Sequence, residues 1–159
     1  VIMKFKVSEK FKSKGRRNTI LASMLVIVLI VGLIWMFISS TTTTNKIISA
    51  AGAFMLLKYL PHAYRNIKNH DSSYPELEIL EHDNKLNISH KGAVISIPLS
   101  DFENLVIQSK KGEIKSILLT TKSFSNLRFE GYDNQETLAE LLKKYTPAGK
   151  TKIATWYHR

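Results

Sequence analysis

The sequence contains no cysteine, and it has only four prolines and seven glycines among its 159 residues. The lack of cysteine excludes a disulfide framework, a thiolate metal site and a cysteine nucleophile. Acidic residues are also few, since 13 Asp and Glu stand against 23 Lys and Arg, for a formal charge of +10. A chain of this length suits one domain of ordinary size, or a smaller domain with an appendage.

The positive charge is distributed unevenly along the chain. Residues 1–18 carry seven Lys/Arg and one Glu, a net charge of +6, whereas residues 65–159 carry 14 Lys/Arg and 12 Asp/Glu, a net charge of +2. The excess therefore lies beside apolar sequence, where cations orient membrane segments, and the C-terminal part is nearly neutral. This distribution argues against nucleic-acid binding, which requires a basic surface on the folded domain.

A long uncharged segment lies close to the basic residues. No residue from 18 to 45 is charged, and residues 20–38 are almost all apolar. At a rise of about 1.5 Å per residue, a helix over 20–38 is roughly 28 Å long, which matches the hydrocarbon thickness of a bilayer. The sequence therefore predicts a transmembrane helix over 20–38.

A second apolar run covers residues 47–63 and is interrupted by Lys58. Near the cytoplasmic end of a helix, the long stem of Lys58 can carry its ammonium group to the lipid headgroups. Small residues at 49–53 favour close packing against a neighbouring helix, for which Gly32 marks the expected position. We expect a second transmembrane helix here and hence a transmembrane hairpin over residues 19–65. A re-entrant or interfacial helix is the alternative.

The flanking charges predict the orientation of this hairpin. The threonine-rich turn at 39–46 holds one cation, whereas both outer ends of the hairpin are basic. This asymmetry predicts a multi-pass protein of a bacterial inner membrane with both termini in the cytoplasm and residues 1–18 as a basic cytosolic segment. The alternative is a cleaved signal peptide, although the apolar run is longer than such peptides use. The expected membrane-surface residues are Lys10, Lys12, Lys14, Arg16, Arg17, Lys58 and Arg65.

From residue 74 onward the pattern changes to short apolar runs separated by turn residues. Repeats of roughly ten residues with Gly, Asn or Asp between them are typical of an antiparallel meander. Strands are predicted near 77–80, 86–89, 94–99, 105–107, 117–119 and 127–129. The turns between them are predicted at Asp83-Asn84, Lys91-Gly92 and Lys110-Lys111-Gly112.

The end of this region has a helical pattern. Leu138, Leu141, Leu142 and Tyr145 recur at helical spacing, which predicts one amphipathic helix. Asp133 and Glu136 have the spacing of a capping box, so the helix is expected to begin there. A helix of this length can cover one open end of a curved sheet.

Two stretches carry a resemblance to a known family, namely ISIPLSDFENLVIQ (Ile95–Gln108) and IKSILLTTKSFSNLRFEGYDNQETLAELLKKY (Ile114–Tyr145). In these stretches a strand ending in Pro-Leu leads to an acidic-hydrophobic step, and a helix begins after a Gly-aromatic-Asp turn. Together with the basic segment and the two apolar runs, this layout resembles bacterial pleckstrin-homology-like (PH-like) membrane proteins. The resemblance implies a partly open β-barrel or sandwich of about seven strands with a C-terminal helix.

The predicted fold class is therefore an α+β membrane protein. A two-helix transmembrane hairpin is followed by an antiparallel PH-like β domain with a C-terminal helix over residues 74–146, and residues 147–159 form a tail. In this layout the β domain lies in the cytoplasm, beside the inner leaflet.

No pattern in the chain indicates catalysis. The five histidines have no carboxylate at metal-ligand spacing, and no GxSxG nucleophile elbow occurs. We therefore expect no catalytic, cofactor or metal site, no small-molecule substrate and no enzyme activity.

The function predicted from these features is a membrane-anchored adaptor or scaffold. Its cytosolic PH-like domain is expected to bind a protein partner or a second copy of the chain, with the lipid surface as a further ligand. The alternative is a small inner-membrane immunity or stress-response protein that acts through its transmembrane helices.

Overall fold

The computed structural model describes residues 2–155 and has an α+β fold. The chain divides into two compact units, a helical hairpin over residues 12–71 and a β unit built from residues 2–11 and 72–155. The elements are, in chain order, β1 (Ile2–Phe5), α1 (Glu9–Ser39), α2 (Thr43–Lys68), β2 (Glu76–Leu80), β3 (Lys85–His90), β4 (Ala93–Pro98), β5 (Phe102–Lys110), β6 (Glu113–Thr121), β7 (Leu127–Glu130), α3 (Gln135–Tyr145) and β8 (Thr151–Thr155).

In the sequence, the helical hairpin lies between β1 and β2, which are neighbouring strands of one sheet. β1 pairs antiparallel with β2, so that Ile2 lies opposite Leu80. Residues 1–18 were expected to be only a basic cytosolic segment, and the strand within them is a correction to that expectation. Its one lysine is paired with an acidic residue of β2, since Lys4 Nζ lies 3.1 Å from Glu78 Oε1. The strand is stabilised by a partner more than 70 residues away, which local sequence does not reveal.

The β unit contains two four-stranded sheets, ordered β1-β2-β3-β4 and β7-β6-β5-β8. All pairs are antiparallel except β5 with β8, which is parallel. An antiparallel bridge between Val7 and Tyr132 joins the chain segment after β1 to the segment after β7. Across residues 2–155 the two sheets do not close into a barrel. A barrel or a sandwich was predicted, and the structure has two separate sheets.

The core of the β unit lies between the inner faces of the sheets and α3. Alternate residues of the strands are buried together with one side of α3, as expected for period-2 strands and a helix of period 3.6. The fully buried side chains in this core are Leu77, Ile79, Leu86, Ile97, Leu105, Ile117, Leu119, Leu138 and Leu142. The six predicted strands and the predicted C-terminal helix are all present as β2 to β7 and α3.

The tail predicted over residues 147–159 contains one further strand. β8 pairs with β5, with Thr151 opposite Leu105 and Thr155 opposite Ser109. Its residues Thr-Lys-Ile-Ala-Thr have too little apolar alternation to predict a strand, and pairing with β5 supplies the missing stabilisation. The remaining tail residues, 156–159, lie outside the described part of the chain.

The predicted turns are confirmed, but the predicted helix cap is wrong. Lys91 and Gly92 have φ angles of 50° and 82°, which is the left-handed geometry of a tight two-residue hairpin. At the start of α3, Asn134 is the N-cap residue in a left-handed conformation, without a side-chain capping bond. Instead, the Gln135 side chain accepts a hydrogen bond from Gly131 N (3.1 Å) and donates one to Phe129 O (3.2 Å).

The two helices of the hairpin unit are longer than the apolar runs that predicted them. α1 begins within the basic segment at Glu9, after Ser8, whose Oγ accepts a hydrogen bond from Phe11 N. α2 continues through Pro61 to Lys68. The apolar runs 20–38 and 47–63 therefore form the middle of each helix, and polar residues extend both helices.

The least exposed residues of the hairpin recur at intervals of three and four on both helices, the spacing of antiparallel helices packed with a shallow crossing. Ser49 is fully buried, and a Cβ on Gly52 would lie 3.2 Å from Leu33 Cδ1. Nothing lies within 4 Å of a Cβ on Gly32, so the small residues of α2 contact Leu33 rather than Gly32. The recurring residues are Ser23, Val26, Ile30 and Leu33 of α1, and Ser49, Gly52, Leu56, Leu60 and Ala63 of α2.

Candidate functional site

The apolar surface of α1 is the largest uncovered feature of the hairpin. Val28 is 69% exposed and Trp35 is 72% exposed, and Ile30 is the one buried residue of α1. Exposed apolar surface is unfavourable in water by roughly 25 cal/mol per Å². Among residues 2–155, α1 is the one helix that is long and apolar enough to cross a membrane.

The surface of α2 is apolar only in part. Ile47, Phe54 and Met55 are exposed, but Lys58 and the residues after it make the second half of the helix polar. The Lys58 ammonium lies 4.9 Å from the centre of the Phe54 ring, one turn nearer the start of α2. In the structure the Lys58 ammonium therefore lies on the side of its backbone that faces the start of α2.

The outer ends of the two helices meet in a basic end of the hairpin, which comprises Lys12, Lys14, Arg16, Arg17, Arg65 and Lys68. His70 Nε2 donates a hydrogen bond to the Lys12 carbonyl over 2.9 Å, so the start of α1 and the end of α2 are adjacent. Arg16, Arg17 and Arg65 are exposed. The structure thus brings together most of the predicted membrane-surface residues. Lys10 belongs to the β unit, and Lys58 lies about 10 Å along α2 from Arg65.

Near the start of α1, the Phe11 ring packs directly against the backbone of Gly131. Gly131 has a φ of +70°, and a Cβ at this position would overlap the Phe11 ring. The Phe11 ring packs edge-on against Tyr74, with 6.1 Å between the ring centres. Phe11 therefore packs as part of the β unit, and this contact was not predicted because Phe11 lies in a basic segment.

Polar side chains on the outer face of the sheet β1-β2-β3-β4 bind one another. Lys4 pairs with Glu78, and Lys6 Nζ lies 3.1 Å from Glu76 Oε1. Farther along the sheet, Ser96 Oγ donates to Asn87 Oδ1 over 2.7 Å. These contacts pair the two lysines of this face with carboxylates and leave the side chains of Ile2 and Val94 exposed beside them.

The edges of the sheets are a different kind of surface. Three edge strands present exposed isoleucines, namely Ile2 of β1 (55% exposed), Ile95 of β4 (45% exposed) and Ile153 of β8 (77% exposed). Edge strands carry backbone N–H and C=O groups that can pair with another extended chain. The alternation of apolar residues predicted these strands, but only the strand order shows which of them are edges.

No group of side chains suited to holding a metal ion is found in residues 2–155. His82 Nε2 lies 3.2 Å from Asp83 Oδ1, whereas His90 Nε2 donates to the Ser73 carbonyl over 3.0 Å, so the two histidines have separate partners. No group of three or more His, Asp or Glu residues in this part of the chain is placed to hold a metal ion.

Comparison of the chain with family models, with curated proteins and with solved structures found no match. The resemblance to PH-like membrane proteins therefore stays a prediction. The function has to be inferred from the two surfaces above, the apolar helix with its basic end and the open strand edges.

Proposed function

We propose that this chain is a membrane-anchored, non-enzymatic adaptor or scaffold of a bacterial inner membrane. Its hairpin crosses the bilayer, and its β unit is a PH-like domain that binds a protein partner in the cytoplasm. The observation that carries this proposal is the uncovered apolar surface of α1, a helix that is separated from β1 of the β unit by only three residues.

The connection between the helices supports two crossings rather than one. α2 begins after only residues 40–42, packs along α1 and keeps its exposed apolar residues in its first half. Cations at both outer ends then follow the positive-inside pattern. Each Lys or Arg of the basic end contributes about 1 kcal/mol near an anionic leaflet.

The β unit supports the binding role. Two sheets that are antiparallel except for the β5–β8 pair, packed with a C-terminal helix, support a PH-like domain, and strand edges are a common route for binding extended peptides. Anchoring raises the effective concentration of the β unit near other membrane proteins, so that weak docking is sufficient.

The membrane assignment is tested by alkaline carbonate extraction of membranes that contain the full chain. The wild-type chain is expected to stay in the pellet. Val28→Arg should move a large fraction to the supernatant, because an arginine at the centre of a spanning helix costs about 2.5–3.5 kcal/mol. Ile153→Arg is the matched control, since Ile153 is as exposed as Val28 but lies on β8. A wild-type chain that leaves the pellet would refute the proposal.

The binding role is tested by comparing the full chain with a variant restricted to residues 12–71, the hairpin unit. After cross-linking in membranes, a partner that depends on the β unit should be recovered with the full chain and lost with the variant. A cellular phenotype that survives in the variant would instead favour the immunity or stress-response function of the helices.

A further inference from the structure

Of the four edge strands in the described sheets, β4 is the one without a charged residue. β1 contains Lys4, β7 contains Arg128 and Glu130, and β8 contains Lys152, whereas β4 reads Ala-Val-Ile-Ser-Ile-Pro. Charged residues on edge strands prevent unwanted strand pairing in native proteins. Three edges are therefore protected in this way, and β4 is not.

The register of β4 shows which of its backbone groups are free to pair. Leu99 N donates to Asn84 O over 2.9 Å, and Ile97 and Ile95 lie opposite Leu86 and Ile88. Because hydrogen-bonded pairs alternate along an antiparallel ladder, Leu99, Ile97 and Ile95 bond to β3. The N–H and C=O groups of the residues between them therefore point away from β3.

Val94 and Ser96 supply these outward backbone groups, and within residues 2–155 no backbone partner is found for either residue. Pro98 continues the same outward series, so the N–H that it lacks does not weaken the ladder to β3. The Val94 side chain is 60% exposed. β4 thus offers two donors and two acceptors to an incoming strand.

The edge is complementary to itself. In an antiparallel pair centred on Ile95, Val94 of one copy faces Ser96 of the other, and the two Ile95 side chains cover each other. Continued in this register, the pairing places Lys91 of one copy opposite Leu99 of its partner, two residues from Asp101, whose carboxylate lies 3.7 Å from Lys122 Nζ of its own chain. Lys91 forms no ion pair with any other described residue.

We propose that β4 pairs antiparallel with β4 of a second copy of this chain, about a two-fold axis at Ile95, through the backbone groups of Val94 and Ser96. The β1-β2-β3-β4 sheets of the two copies then form one continuous eight-stranded sheet. Such an interface is smaller than a stable soluble dimer needs. It therefore rests on the proposed membrane anchoring, which holds both copies in one plane and raises their effective concentration.

The lack of cysteine allows a direct test in membranes that contain the full chain. Ile95→Cys should form a disulfide-linked dimer on oxidation, because opposed Cα atoms of a non-hydrogen-bonded pair are about 4.5 Å apart, within the range that a disulfide spans. Ile153→Cys is the control for random collision, since Ile153 is more exposed than Ile95 and lies on a charged edge. It should yield several-fold less dimer.

A second substitution tests the backbone pairing itself. Val94→Pro removes an outward N–H from each copy and leaves the ladder to β3 intact, so in the Ile95→Cys chain it should weaken association about tenfold or more. Val94→Lys at this exposed position is the substitute if the proline variant unfolds. Unchanged circular dichroism verifies that either variant is folded.

Several outcomes would overturn the proposal. The first is that Ile95→Cys and Ile153→Cys cross-link equally. The second is that neither Val94 variant reduces the cross-linking. The third is that Ile95→Cys fails to cross-link in a chain that stays in the membrane pellet. In the last case the membrane anchoring stands and only the self-pairing is wrong. A chain that carbonate extracts from the membrane would refute the anchoring instead.

Discussion

Gly131 lies directly beneath the ring of Phe11, in a left-handed backbone conformation with a φ of +70°. This contact joins the turn before α3 to the first turn of α1. It is reinforced by backbone bonds from Ser8 N to Gly131 O and from Asp133 N to Lys6 O, each 2.8 Å long. The segment that leads into α1 is therefore held by backbone pairing and by one close glycine contact.

Gly131→Ala is expected to destabilise the β unit by about 2–4 kcal/mol, because an L-residue is strained at this φ and its Cβ overlaps the ring. Denaturant unfolding of the full chain in detergent measures the loss. Gly149→Ala is the control, since Gly149 has a φ of +79° with nothing within 4 Å of a Cβ. If the two variants lose equal stability, the Phe11 contact contributes nothing.

Gly52→Leu is expected to loosen the hairpin by about 1–3 kcal/mol, because added side-chain atoms must displace Leu33. Gly32→Leu gains the same helix propensity but faces open space, so it should be neutral or slightly stabilising. Thermal unfolding followed by the helical signal compares the two variants. Equal melting temperatures would show that the helices do not pack at Gly52.

The Glu81 carboxylate links β2 and β3 to α3 and should make stability depend on pH. Tyr145 OH donates to Glu81 Oε1 over 2.7 Å and Lys144 Nζ donates over 2.9 Å, and these bonds hold the pKa of Glu81 below its ordinary value. A lowered folded pKa gives stability that is present above the unfolded pKa and is lost as pH falls through the folded pKa.

Tyr145→Phe should therefore lower the melting temperature at neutral pH, and this difference should shrink once the pH falls below the usual glutamate range. Protonation of Glu81 replaces the strong charged acceptor with a weaker neutral one. The measurement is the melting temperature of both chains across an acid pH series. A difference that stays constant with pH would show that the Tyr145 bond to Glu81 is not the source.

Gln135→Ala is expected to cost about 1–3 kcal/mol, since it removes the side-chain bonds to Gly131 N and Phe129 O. Asp133→Ala should cost far less, because in the structure Asp133 contributes its backbone N–H to Lys6 O. Chemical unfolding of both variants separates this geometry from the predicted capping box. A greater loss at Asp133 than at Gln135 would favour the capping box.

These contacts show why prediction from sequence succeeded at some positions and not at others. The strands β2 to β7 carry their own alternation, and the Lys91-Gly92 turn carries its own backbone preference, so each is determined by neighbours within a few residues. β1 and β8 have no such local pattern. They are strands because β2 and β5 provide partners for them.

The candidate surfaces divide in the same way. The basic residues near the hairpin ends were recognised from composition, but the bond between His70 and the Lys12 carbonyl is what brings them to one end. The sequence alone shows that β4 contains no charged residue. Its position at an edge depends on the order of the strands, which no local pattern contains.

The sequence by itself determined the long apolar helix, the meander of short strands and the amphipathic helix that covers their core, because hydrophobic period and turn preference act over a few residues. Only the tertiary structure decided that the N-terminal residues complete the first sheet, that Gln135 rather than Asp133 supports α3, and which strand edges stay open. Those outcomes depend on contacts between residues far apart in the chain, such as Lys4 with Glu78. Such contacts stabilise the structure only after the fold has brought the two residues together.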